Sequence, residues 1–360
     1  MKAIIFAGGV GTRLWPLSRK KSPKQFEKVI GDKSTLQLAV ERLIPNFDWK
    51  DIFVSTSERY IPMVLQQLPM MISENVIGEP ELRDVGPAVG LITAILYKKY
   101  KNTPMVILWS DHLIKKNDLF KKILYQCEKI IKKHKDKIIF IGQKPRFASQ
   151  NLGWIKFDKV SYETNNIKLY NFSGFHYRPT IEKADEYLEN GNNCWNLGYF
   201  VTTTYNLWKL YEKYQPEMFT GLKELYKAYG TSRFIQLLKK IYPKMPKMSF
   251  DNAILEHINK EDAYVISEDL GWSDIGAWEA LKEALQTSPE QNVINGKVLL
   301  TDCRDSLVYN YTDKLVVTID INGLLVINTH DVVLVCHKNS VPKIKKLVEK
   351  LSESENQHLV

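Results

Sequence analysis

Five short apolar runs punctuate the first 142 residues: KAIIFA, DIFVST, NVIGEP, PMVILWS and KIIFIG. Segments with helical spacing lie between them. STLQLAVERL opens with Ser34 and carries Gln37 three residues on, a capping-box pattern. GPAVGLITAILYKKY has Pro87 in its first turn, and NDLFKKILYQCEKIIKKH is a long amphipathic segment. ERYIPMVLQQL also reads as helix, with a start weakened by Pro62. Apolar strands that alternate with helices predict a mainly parallel sheet covered on both faces. Ligands of such sheets bind beyond the carboxyl ends of the strands. That rule puts three stretches on one edge: the glycines after the first strand, GEP (78–80) and WSDH (109–112).

From 141 to 285 the pattern is more mixed. Strand-like LGWIKFDKV and LYNFSGFHY precede a helical ADEYLEN, then NCWNLGYFVTT and further helix. LQTSPEQNVING reads as a linker. Beyond it come KVLLT, SLVYN, KLVVTID, LLVIN and VVLVCH, divided by turn residues and closed by a helix at VPKIKKLVEKL. The expected organisation is a domain over 1–285, a linker at 286–296 and a small β-rich unit over 297–360. No strong internal repeat is read from the sequence.

The 360 residues are 44% hydrophobic and 25% charged, enough for a sizeable core. No apolar run reaches the ~18 residues of a membrane span, and MKAIIFAGG lacks a signal-peptide pattern. A cytoplasmic protein is expected. Cys127, Cys194, Cys303 and Cys336 form no CxxC pair and suit buried thiols in a reducing compartment. The net charge of +9 is spread over solvated helix faces such as KKHKDK, so no nucleic-acid partner is expected. The seven histidines form no HxH or HxxxH pair, which argues against zinc.

The opening stretch FAGGVGTRLWPLSRKKSPKQF is unlike the rest. Six Lys or Arg fall in the first 24 residues, and the first acid is Glu27. Glycine amides can surround phosphate oxygens because glycine permits the φ angles and the close approach. The Walker pattern fails here, and so does the dinucleotide fingerprint, since its third glycine is replaced by Leu14. A tight turn with solvated cations is the plain alternative. The other reading is a nucleoside triphosphate site.

AGGVGTRLWPLSRKKSPKQF closely resembles the signature of the sugar-1-phosphate nucleotidyltransferases. WPLSR and PKQF are similar to the guanylyltransferase branch of that family, which joins GTP to mannose 1-phosphate. GEPELRDVGPA, WSDH, NLGWI, CWNLGYF, SFDNAILE and GWSDIGAW resemble later family motifs in the same order. The match runs over roughly residues 1–340. It implies a Rossmann-like α/β domain with a mixed, mostly parallel sheet. A short left-handed β-helix follows, without the isomerase domain of longer relatives.

The implied chemistry is in-line attack of a sugar phosphate on the α-phosphorus of GTP, with Mg2+ as cofactor. The resemblance implies nucleotide contacts at Ala7, Gly8, Gly9, Gly11, Thr12, Arg13, Glu79 and Pro87. Arg13 would hold the β and γ phosphates, and Lys24 would bridge the α-phosphate and the sugar phosphate. Asp111 and Asp274 would hold the metal, although either could merely cap a helix. Glu79 would accept the paired N–H donors of guanine; its bland alternative is a surface glutamate before a turn. Gly153, Arg178, Asn196 and Asp251 would bind the sugar phosphate. Trp195 reads more simply as core.

The chain departs from the family at Tyr177 and Arg178, where a glutamate and a lysine are usual, and at Asp84 and Val85. Another sugar 1-phosphate or another NTP therefore stays open, as does an inactive sugar-nucleotide sensor. The β-rich tail offers strand edges of the kind that pair between subunits, and a homodimer is expected.

Overall fold

The computed structural model describes residues 1–9 and 11–360; Val10 and the side chain of Thr12 lie outside the described residues. The chain packs as two units. One comprises Met1–Gly8, Arg42–Trp109 and Ile114–Gly271; the other comprises Gly9–Glu41, Ser110–Leu113 and Trp272–Val360.

The first unit is built on nine strands: β1 (Lys2–Phe6), β2 (Ile52–Ser57), β3 (Val76–Glu79), β4 (Pro104–Trp109), β5 (Ile138–Gln143), β6 (Gly153–Thr164), β7 (Ile167–Tyr177), β8 (Asn193–Thr203) and β9 (Ala263–Glu268). Their order is β3-β2-β1-β4-β8-β5-β9-β7-β6. The half β3-β2-β1-β4 is parallel, and β8 runs antiparallel to β4 and β5. Successive residues of β8 show that both faces are covered. Tyr199 meets Phe120 of the helix Asn117–Lys133 at 5.8 Å, while Phe200 stacks on Phe250 at 5.1 Å. Neighbours on a strand point to opposite faces, so each face has its own apolar layer.

The helix Val85–Lys99 is buried from Gly86 to Leu96. Ile4, Phe53 and Ile107 share its core, with Trp208, Tyr211 and Leu222. The run ERYIPMVLQQL is helical only over Ile61–Gln67, with Pro62 in its first turn and a 3-10 turn, Glu58–Tyr60, before it.

The second unit holds β10 (Val293–Asn295), β11 (Val298–Thr301), β12 (Leu307–Asn310), β13 (Val316–Ile319), β14 (Leu324–Asn328) and β15 (Val333–His337). The expected linker at 286–296 thus contains a strand, β10, paired in parallel with β12. The sequence reading saw no strong repeat, yet the pairings carry one. Val298 pairs with Val316, Arg304 with Asn322 and Leu307 with Leu325, an offset of 18 residues each time. Parallel pairing at a constant offset is a solenoid coil. The corners repeat too: Asp302 and Asp320 share φ 51°, while Asp305 and Gly323 are also left-handed. Asn and Asp tolerate this conformation better than other residues with side chains. Inside the coil Asn328 Nδ2 donates to Asn310 Oδ1 at 2.9 Å, and Asn310 Nδ2 donates to the Lys297 and Lys314 carbonyls.

The basic opening stretch belongs to this second unit. The helix Thr35–Glu41 begins with the expected capping box: Gln37 N–H donates to Ser34 Oγ at 3.2 Å and Ser34 N–H to Gln37 Oε1 at 2.9 Å. Leu14, Trp15 and Val29 share a core with Trp278, Tyr309, Leu325 and Ile344. The solenoid is therefore the platform on which the opening stretch lies. Replacing Leu325, fully buried, with Ala should cost about 2–5 kcal/mol. Ile294→Ala, at a side chain 52% exposed, should stay within about 0.5 kcal/mol of wild type. Urea unfolding of both variants checks the contrast.

Candidate functional site

In the second unit the glycine stretch is shaped around a lysine. Gly11 has φ 71°, and a Cβ placed there would lie 2.5 Å from Lys24 Cγ. Only glycine admits both the backbone conformation and the lysine stem. The Gly11 carbonyl accepts from Ser18 Oγ at 2.5 Å. Lys24 reaches Asp111, with Nζ 2.5 Å from Oδ2. Burial by itself would push the Asp111 carboxyl up, but the Lys24 ammonium outweighs it, with help from His112, and holds it below the usual carboxylate range. Asp111 is thus an anion poised beside a cation.

Asp274 lies on a segment bonded to that of Asp111. An isolated antiparallel bridge joins Leu113 to Ser273, with N–H···O distances of 2.9 and 3.1 Å. It holds the two acidic motifs side by side. Arg13 lies in the short turn Thr12–Leu14. A Cβ on Gly276 would stand 3.0 Å from Arg13 Nη2 and 3.2 Å from Asp274 Oδ2, so cation and carboxylate both lie against this glycine. Glu279 faces the same pair: burial raises its carboxyl, Arg13 lowers it and Asp274 raises it again. The sequence reading missed Glu279, although it follows Asp274 by five residues in GWSDIGAWE.

Arg19 forks onto Asp331, with both contacts at 2.6 Å. Such paired guanidinium–carboxylate bonds fix orientation as well as adding energy. Trp15 Nε1 donates to the Leu359 carbonyl at 2.8 Å, and Trp278 Nε1 to the Trp15 carbonyl at 2.9 Å. His112 packs edge-on against Trp272 at 5.2 Å. Among the described residues no group of three or more His, Cys, Asp or Glu could hold a metal ion. Asp111 and Asp274 are a carboxylate pair of the kind that a hard divalent ion takes together with substrate oxygens.

In the first unit Ala7 and Gly8 extend β1. Ala7 N–H donates to the Ser55 carbonyl at 2.8 Å, and its own carbonyl accepts from Thr56 Oγ1 at 2.7 Å. Glu79 ends β3 beside Ser57. It is 4% exposed, and Oε1 lies 3.8 Å from where a Cβ on Gly8 would stand. The Tyr242 hydroxyl donates to Oε2 at 2.6 Å, from 163 positions away. Burial pushes the Glu79 carboxyl up to about 7, against the pull of that hydrogen bond. Pro87 is buried in the first turn of its helix, where Asp84, at φ 68°, accepts the Val85 N–H. The departure at Asp84 thus keeps a side chain that caps from a left-handed position.

Gly153, Asn196 and Asp251 line one small cavity of about 20 Å³, together with His176, Tyr177 and Glu256. Asn196 Oδ1 accepts the Gly198 N–H at 2.8 Å, which turns Nδ2 toward Asp251 Oδ1 at 3.4 Å. Arg178 is not among the residues lining it. It has φ 45°, and its guanidinium lies over the Tyr177 ring at 5.1 Å. Trp195 is 1% exposed and packs on Trp154 and Phe147.

The second unit thus gathers cations and carboxylates, and the first holds a buried carboxylate and a small cavity of about 20 Å³. The chain matches the Nucleotidyl transferase family over residues 2–291 and the MannoseP isomerase/GMP-like beta-helix domain over 296–351. It belongs to the nucleotidyl transferase family. Its relatives include mannose-1-phosphate guanylyltransferase 2 of Escherichia coli O157:H7, 30% identical over 97% of this chain and 73% of that protein. The mannose-1-phosphate guanylyltransferase of Salmonella montevideo is 32% identical over 99% of this chain and 74% of that protein. The crystal structure of mannose-1-phosphate geranyltransferase from Thermus thermophilus superposes with a TM-score of 0.86 at 25% identity, over 98% of this chain and 99% of that one. Members of the family generally use a divalent metal.

Glu79 gives a pH signature. Its folded pKa is raised from 4.5 to about 7. The neutral acid is favoured in the fold, so stability falls as pH rises between those values. Glu79→Gln removes that penalty, about 3 kcal/mol at most at 1.36 kcal/mol per unit. The variant should melt above wild type at pH 8 and level with it at pH 4, as calorimetry in matched buffers would read.

Proposed function

We propose that this protein joins GTP to α-D-mannose 1-phosphate, giving GDP-mannose and diphosphate. The observation that carries this reading is similarity to mannose-1-phosphate guanylyltransferases over nearly the whole chain. A sugar-phosphate oxygen forms a bond to the α-phosphorus, and the bond from that phosphorus to the β-phosphate oxygen breaks. A phosphate monoester has its second pKa near ~6, so the nucleophile is already mostly dianionic at pH 7. A general base is unnecessary. The obstacle is repulsion between two anions, and charge placement overcomes it.

In this reading the amides of Gly8, Gly9, Gly11 and Thr12 face the triphosphate, and Ala7 continues the strand that leads into them. Arg13 holds the β and γ phosphates, and Lys24 lies between the α-phosphate and the sugar phosphate. The Lys24 ammonium keeps Asp111 ionised before substrate arrives. Magnesium is the ion we assign to Asp111 and Asp274, where it would neutralise phosphate charge. Glu79, once ionised, accepts the N1–H and N2–H₂ donors of guanine, and Pro87 shapes the slot for the base. Gly153, Asn196 and Asp251 bind the sugar. Arg178 remains our candidate for the sugar phosphate on charge alone.

A cytoplasmic enzyme fits four free cysteines and the finding that, among the described residues, no helix is long and apolar enough to cross a membrane. We assign a homodimer to the exposed apolar side chains Leu299, Val317 and Ile319 of the β11–β13 pair.

Diphosphate release should be greatest with GTP among four NTPs and with mannose 1-phosphate among hexose 1-phosphates; no signal with GTP would end the guanine assignment. Arg13→Gln and Asp274→Asn should each lower kcat on the order of 10²–10³-fold with the melting temperature kept within a few degrees. Chelation with EDTA should stop turnover, and Mg2+ should restore it; full activity in the chelator would remove the metal from the account.

A further inference from the structure

The small cavity that holds Gly153, Asn196 and Asp251 has a second carboxylate on its wall. Glu256 lies in the short turn Leu255–His257, five residues after Asp251, and lines this cavity. It also lines an adjoining cavity of about 470 Å³ with Phe175, Tyr177 and Lys260. Among the described residues it has no ion-pair partner.

Two carboxylates facing one small cavity repel each other. Burial raises the Asp251 carboxyl, the charges of Glu256 and Asp84 raise it further, and the Asn196 amide pulls it down. Among the described residues no lysine or arginine lines the cavity to offset this. The imidazole on its wall, His176, is pushed down, by burial first and then by Lys156 and Lys183, and so stays neutral at pH 7. Such a space calls for a ligand rich in O–H donors, which satisfies both carboxylates without adding charge. Position 177 cannot supply an acceptor of that kind. Tyr177 is 67% exposed, and a phenol is a weaker acceptor than a carboxylate.

We propose that Glu256 is a specificity-determining acceptor for sugar hydroxyls, acting from the cavity wall it shares with Asp251. The proposal rests on the sugar 1-phosphate reading of this site. Glu256 and Asp251 then grip different hydroxyls of one hexose, and epimers that move a hydroxyl away from either carboxylate bind less well.

The test uses the full chain with Glu256→Gln and Glu256→Asp. Glu256 is exposed at the cavity mouth, so both variants should keep the wild-type melting temperature. The expected result for Glu256→Gln is a KM for mannose 1-phosphate raised about tenfold or more, with KM for GTP unchanged and kcat within about threefold. Glu256→Asp should recover part of the loss. Among monodeoxy mannose 1-phosphates, the one lacking the contacted hydroxyl should show no difference between wild type and Glu256→Gln. Equal KM values for the sugar phosphate in an active wild type and Glu256→Gln would overturn the proposal and leave the reaction assignment standing. A parallel rise in the KM for GTP would overturn it too, as a general structural effect. A wild type that turns over a different hexose 1-phosphate would carry the same comparison on that sugar. A wild type inactive with every NTP and sugar phosphate would sink the reaction assignment and this proposal with it.

Discussion

A lysine threaded past a glycine to meet an aspartate is the contact on which the proposed phosphate chemistry rests. Lys24 needs Gly11 to have no side chain, because its stem occupies the space a Cβ would take. Asp111 needs Lys24, because burial alone would favour the neutral acid. The pair is a stored separation of charge. Lys24 keeps Asp111 ionised, and on the proposed reading each can exchange its partner for a phosphate or a metal. Bringing two anions together demands this kind of preformed polarity, since charges that must be created on arrival cost desolvation energy at the wrong moment.

The solenoid explains why that contact keeps its shape. Loops rich in glycine and cations have little apolar surface with which to order themselves. Here Leu14, Trp15 and Val29 supply the anchor, and the coil supplies the complementary core. Polar clamps flank it: the Arg19–Asp331 fork, the Trp278–Trp15 bond, and the Tyr309 hydroxyl donating to the Val29 carbonyl at 3.2 Å. Arg13 and Lys24 therefore extend from a stretch whose conformation is set by residues more than 250 positions away. The C-terminal coil therefore shapes the stretch to which the proposed phosphate contacts belong.

Local signals in the sequence were legible and remote ones were not. The strands of the parallel half, the capping box at Ser34 and Gln37, and the carboxylates at strand ends all follow from periodicity and from the chemistry of single residues. The 18-residue coil was hidden because its signal is positional. Asp302 and Asp320 match, but Asp305 is answered by Gly323 and Arg304 by Asn322. What recurs is a left-handed corner, which several residue types can make. Tyr242 was invisible as the partner of Glu79 for another reason: nothing within a window of a few residues links positions 163 apart. For Arg178 the charge was legible and the backbone was not: a positive φ lays its guanidinium over Tyr177.

The two departures at Tyr177 and Arg178 are better understood as one exchange. Where a carboxylate and an ammonium are usual, this chain has an aromatic ring and a guanidinium lying over it, a pairing worth about 0.5–1 kcal/mol at an exposed site. The ring faces both cavities, and the guanidinium binds the ring. The local charge changes from balanced to positive, and a hydroxyl acceptor is lost. A site that still binds a polyol must take its acceptors from elsewhere on the same wall. Asp251 supplies one, but it is held back by burial and by the Asn196 amide. Glu256 has the reach, the charge and the exposure to supply the other. On the proposal that Glu256 does so, hydroxyl recognition passes from strand β7 to the turn after Asp251, a change that a motif read one residue at a time records only as a missing glutamate.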